Sequence, residues 1–150
     1  MKTDLFGAMV GQTQTPCLFS PAQVSVASLI GGPLGGAVLL KRNYRVLGAQ
    51  PRSAMPVLWA FVVTLAAFVV LGEGPRTAVT VLPIALAMGS WRYANRLQGA
   101  QIVERLNGGW SLHSWWRVLV IGVIVLGSSL AAFALFELAV VEILVYAEGV

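Results

Sequence analysis

The sequence predicts an all-α integral membrane protein with four transmembrane helices, the first broken by glycine and proline and the third prolonged into the cytoplasm. Three observations predict it. Of 150 residues, 57% are hydrophobic and 11% charged, with a mean hydropathy of +0.79, whereas a soluble domain carries about 25% charged residues. Four apolar stretches approach the roughly 20 residues that cross about 30 Å of hydrocarbon. Between them the basic residues cluster in alternate connections. The same composition excludes a disordered chain and a coiled coil, and the single cysteine, Cys17, excludes a disulfide scaffold or a cysteine-built zinc site.

Residues 1–20 read as a short polar tail and residues 21–150 as one transmembrane domain. No basic segment runs into an apolar core near the start, so no cleavable signal peptide is expected, and Cys17 reads as an ordinary thiol. The first span covers about 21–40. Ser20 suits an N-cap and Pro21 the first helical position. Pro33 deprives the carbonyl of Leu29 of its donor and predicts a kink. This span is polar for its class, with Gln23, Ser25, Ser28 and four glycines. A re-entrant hairpin turning at Gly31-Gly32-Pro33 competes with a full span, and the apolar length favours the span.

The second span covers about 54–72, bracketed by Arg52 and Glu73 with Ser53 as a cap. The third, about 76–91, starts after Gly74-Pro75 and contains Pro83. Beyond Trp91, the apolar residues Ala94, Leu97, Ile102 and Leu106 fall near helical spacing, which predicts a cytoplasmic extension stopped at Gly108-Gly109. The fourth span covers about 115–137, capped by Ser114, with Glu137 and Glu142 closing its apolar run.

Orientation follows from charge. Eight of the ten basic residues lie between Lys41 and Arg52 or between Arg92 and Arg117, where Glu104 is the one acid, giving +7 there and −3 elsewhere. Short loops rich in Lys and Arg remain cytoplasmic. Loops 41–53 and 92–117 are therefore expected inside a bacterial inner membrane, with the C-terminus periplasmic. Lys41, Arg42 and Arg45 suit anionic headgroups, and Trp115 and Trp116 suit the interface. The sequence pI of about 9.8 is explained by this flanking role, and no nucleic-acid partner is expected.

Small residues recur four apart in two rows, Ala27, Gly31 and Gly35 beside Ser28, Gly32 and Gly36. Such rows allow close backbone approach, a main source of helix association in lipid. Gly127 and Ala131, with Ser128 and Ala132 alongside, offer a counter-face on the fourth span. The partners expected are the bilayer and either further copies of the chain or a larger membrane protein.

The runs Ser20-Pro21-Ala22-Gln23, Gly31-Gly32-Pro33-Leu34-Gly35-Gly36, Asn43-Tyr44-Arg45-Val46-Leu47-Gly48, Gln98-Gly99, Gly108-Gly109 and Ser114-Trp115-Trp116-Arg117 resemble those of a group of small uncharacterised bacterial inner-membrane proteins. The resemblance covers most of the chain from Ser20 to Arg117. It implies a multi-pass bacterial membrane protein and brings no catalytic residue with it.

The residues themselves offer little chemistry. His113 is the one histidine and has no acid near it in sequence, which makes a poor general base and a poor metal site. No phosphate-cradling loop follows a strand. Neither catalysis, a metal nor a cofactor is expected. The leading expectation is a non-enzymatic accessory, assembly or self-associating subunit acting through helix packing. The alternative is a small transporter or channel with a site at the kinked first helix, using Glu137 paired with Arg76, since ionisable residues within spans are functional candidates.

Overall fold

The computed structural model describes residues 16–49, 54–73 and 76–147, with side chains left undescribed at 68–73, 76–80, 144 and 147. Two-residue strands β1 (Cys17–Leu18) and β2 (Ser111–Leu112) accompany four helices, α1 (Pro21–Val46), α2 (Met55–Glu73), α3 (Arg76–Asn107) and α4 (Trp115–Ala147). The expected polar tail up to residue 15 and the Ser53 cap lie outside the described residues.

The first helix does not run straight through. At Gly32 the backbone leaves the helical region for φ 66°, ψ −171°. A side chain disfavours positive φ, and glycine has none. Pro33 follows and can open a new helix because the N–H it lacks would be unpaired there anyway. The result is a hairpin, with legs 21–31 and 33–46 lying against each other. Phe19, just before the first leg, hydrogen-bonds Asn43 near the end of the second at 2.8 Å. A straight helix at about 1.5 Å per residue would separate those residues by more than 30 Å. The single straight helix expected over 21–40 is therefore not formed, and the chain folds back at Gly31-Gly32-Pro33, where the competing hairpin was expected to turn.

By length and composition alone Pro21–Val46 and Trp115–Ile143 are candidates to cross a membrane, with a shorter apolar stretch at Met55–Ala67. The hairpin removes the first from that set, because each leg reaches only about 15–20 Å. The second helix occurs near its expected bounds. The third runs on unbroken through Pro83 to Asn107, so the helix is prolonged beyond Trp91 as expected. It ends in a Schellman turn, in which Trp110 N–H donates to the Arg105 carbonyl and Gly109 adopts φ 88°. The fourth helix extends well past the expected end at 137.

The hairpin is the hub. It packs against α2, α3 and α4, whereas α4 makes little contact with the other two helices. The buried cluster reflects this, with Phe19, Val24, Ala27, Leu39 and Leu40 of the hairpin region meeting Ala94 of α3 and Val118 of α4. The most polar of the apolar segments is thus the most enclosed. The apolar α2 and α4 leave Trp59, Phe61, Ile124, Leu135 and Phe136 exposed, the reverse of a water-soluble core.

Candidate functional site

The first end of the hairpin meets the α3–α4 turn and the second end meets α3, and three buried carboxamides make these joints. Gln23, Asn43 and Gln98 are each at most 2% exposed. Asn43 pairs with the backbone of Phe19 as a strand would, its Oδ1 accepting from Phe19 N–H and its Nδ2 donating to Phe19 C=O, both at 2.8 Å. The same Nδ2 donates to Gln98 Oε1 at 3.0 Å, and Gln98 Nε2 donates to the Leu40 carbonyl. Gln23 completes a capping box with Ser20 and donates through Nε2 to the His113 carbonyl at 2.6 Å. Each amide uses both its acceptor and its donor, as burial demands.

His113 is the hinge of this junction. Its N–H donates to the Leu18 carbonyl, continuing the short parallel pairing of Cys17 with Ser111 and Leu18 with Leu112. Its ring lies 4.3 Å from the Phe19 ring. Arg117 Nη1 sits 3.2 Å from Nδ1. A guanidinium only donates, so Nδ1 accepts and the imidazole is the neutral Nε2–H form. Burial, then Arg117 and Arg42, lower the pKa of His113 below its ordinary value. The junction favours an uncharged imidazole at neutral pH, and the arrangement is that of a latch.

The small-residue rows fold onto themselves. A Cβ at Gly35 would strike the Ala27 carbonyl, and one at Gly36 would strike Ser28 Oγ. Ala27, Ser28, Gly35 and Gly36 thus form the contact between the two legs. Ser28 Oγ is buried without a hydrogen-bond partner, pressed toward the Gly36 backbone. Gly31, at the tip, faces α4, where a Cβ would come within 2.9 Å of the Gly122 carbonyl. Gly122 in turn lies against Ile30. Gly127 and Ala131, expected as the counter-face, are exposed, and nothing lies within 4 Å of a Cβ at Gly127. Gly122 takes the place predicted for Gly127.

The tip meets α4 between Gly122 and Val125, roughly 10–15 Å along from Trp115 at 1.5 Å per residue. That is about half the thickness of a bilayer core. Glu137 lies about 18 Å further along and is exposed. The structure therefore does not bring Glu137 to the broken first helix, and the side chain of its expected partner, Arg76, lies outside the described residues. Arg42 and Arg45 are exposed, Lys41 is half-buried, and Trp115 and Trp116 are exposed at the start of α4.

Sequence reasoning missed Asn43 and Gln98. Asn43 was read as part of a basic loop. Gln98 occupies the buried row Ala94, Gln98 and Ile102, while Leu97, expected on that face, is 41% exposed. A lone carboxamide reads the same in a basic loop as in a buried network, so neither residue carried a signal of its own. Comparison with known proteins finds no matching family model, curated protein or solved structure.

Proposed function

We propose that the chain is a multi-pass bacterial inner-membrane protein with three spans and a re-entrant hairpin, working without catalysis as an accessory, assembly or self-associating subunit. In this arrangement α2, α3 and α4 cross the bilayer. The hairpin enters and leaves from the cytoplasmic side, which keeps loops 41–53 and 92–117 inside and the C-terminus periplasmic. Because both ends of the hairpin share one side, the charge alternation is satisfied with three crossings as well as with four.

The observation that carries the associative reading is the state of α4. Beyond Val125 it projects as an exposed apolar helix. Gly127 and Ala131, with Ser128 and Ala132 beside them, offer close backbone approach on it. Gly35 and Gly36 are engaged between the legs of the hairpin and Gly31 against Gly122 of α4, so the open small-residue row on α4 is offered to a neighbour. The transport alternative loses its acid, since Glu137 stands far from the hairpin.

The test is the mass and composition of the particle after mild native extraction, for the wild type and Gly127→Leu. A side chain at Gly127 has open space, so the fold should survive. Recovery of a discrete oligomer or hetero-complex that Gly127→Leu dissociates supports the reading. A monomeric wild type, or assembly indifferent to the substitution, defeats it.

A further inference from the structure

A cleft of about 360 Å³ opens between the second leg of the hairpin, α2 and α3. It exists because three helices contribute small residues at the same level, among them Gly36, Ala37, Ala60, Ala85 and Gly89. Its wall is apolar along most of its length, and its size lies within the range of ligand sites.

The lining residues also give the cleft a direction. Along the hairpin leg it runs from Pro33, at the mid-membrane tip, to Leu40. Along α2 it runs from Val63 back to Pro56, and along α3 from Ala85 forward to Tyr93. All three helices therefore bring it from mid-depth to the cytoplasmic interface. At that end it acquires Ser90 and Tyr93.

Cations continue the same rows. Lys41 follows Pro33 and Ala37 at intervals of four, and Arg92 and Arg96 follow Gly89 and Tyr93 at intervals of three; residues so spaced neighbour one another on a helix surface. No acid occurs between Gly36 and Ala49 or between Ala85 and Gln101. An apolar slot one leaflet deep, open to lipid and ending beneath uncompensated cations, has the charge and length of one kind of occupant.

We infer that this cleft holds an acyl chain of an anionic phospholipid, with the lipid phosphate at Lys41, Arg92 and Arg96. The inference rests on the membrane reading above and adds a specific lipid site to it. The small residues are then the seat of the chain, and the hairpin is braced by lipid on the side away from α4.

Native mass spectrometry of the detergent-purified protein, titrated with phosphatidylglycerol or with phosphatidylcholine of the same acyl chains, tests it. The wild type should retain the anionic lipid in preference. A cation near an anionic headgroup is worth about fivefold in binding, so the triple variant Lys41→Gln, Arg92→Gln, Arg96→Gln should lower that preference by about tenfold or more. Gly89→Leu distinguishes a cleft from a charged surface. A Cβ there meets nothing within 4 Å, so the side chain fills the slot without displacing the fold and should reduce retention of both lipids.

Equal retention of the two lipids by the wild type, or a preference untouched by the triple variant, overturns the headgroup site. Retention unchanged by Gly89→Leu overturns the cleft. If the protein instead stays in solution without detergent and takes up neither lipid, the membrane reading itself fails, a result distinct from the other two.

Discussion

Phe19 and Asn43 exchange two hydrogen bonds of 2.8 Å across twenty-four residues of chain. One side chain thus satisfies a buried backbone N–H and C=O that have no strand beside them. It also holds the mouth of the hairpin shut, and through Gln98 it ties that mouth to α3.

Asn43→Leu should therefore be costly although it is apolar and similar in size. It strands both Phe19 groups and one end of Gln98. An unsatisfied buried group costs about 1–3 kcal/mol, so the loss should be about 2–5 kcal/mol. Thermal unfolding in detergent, followed by circular dichroism, checks this. A melting temperature equal to wild type would mean that the amide does not close the hairpin.

Gly36→Ala should destabilise by roughly 1–3 kcal/mol, the usual range for overpacking, because the added methyl meets Ser28 Oγ. Ser28→Ala alone should be neutral or slightly stabilising, since it removes a buried hydroxyl without a hydrogen bond. The double variant should recover part of the loss, with the Val24 carbonyl setting the remainder. Additive losses in a double-mutant cycle would place the two residues out of contact.

The latch at His113 makes stability fall in acid. Its folded-state pKa lies below the unfolded value of 6.5, so the unfolded chain takes up the proton first. The contribution is fully present above about pH 6.5 and declines as pH falls toward the folded pKa. Protonation sets a charged imidazole against Arg117 and Arg42. Melting temperatures measured from pH 8 to pH 5 should drop for the wild type more than for His113→Gln.

Single cysteines at Pro16 and Arg42, both exposed, placed in a Cys17→Ser background, should react with a membrane-impermeant maleimide from the same face of the membrane. A straight first span would put them on opposite faces. Labelling of one from each side of oriented vesicles would restore the four-span topology.

Much of the helix framework was legible in the sequence. Apolar length placed α2 within a residue or two, and the Gly108-Gly109 stop located the end of α3. Ser20 and Pro21 marked the start of the hairpin. Its turn was visible at Gly31-Gly32-Pro33, yet hydropathy and length are the same whether the chain passes through or folds back. The deciding interactions are non-local. Asn43 finds Phe19, and Gln98 finds Leu40, only after the chain has returned, and no window of sequence contains both partners. The β1–β2 pairing of Cys17 and Leu18 with Ser111 and Leu112 escaped for the same reason. The far end of α4 was misjudged because Glu137 and Glu142 were read as stops, although an exposed helix tolerates both.

The placement of the hairpin's partners along the chain imposes an order on biosynthesis. Legs of about 15–20 Å are too short to settle across a bilayer unaided, and the groups that receive them, Gln98, His113 and Gly122, emerge long after Val46. At about 5–20 residues per second, the ribosome takes roughly 4–15 seconds to supply them. In the proposed topology the segment made first therefore waits at the cytoplasmic surface and enters the membrane after α4 has been threaded. A ribosome stalled before Gly122 should hold a chain whose hairpin is still open to protease.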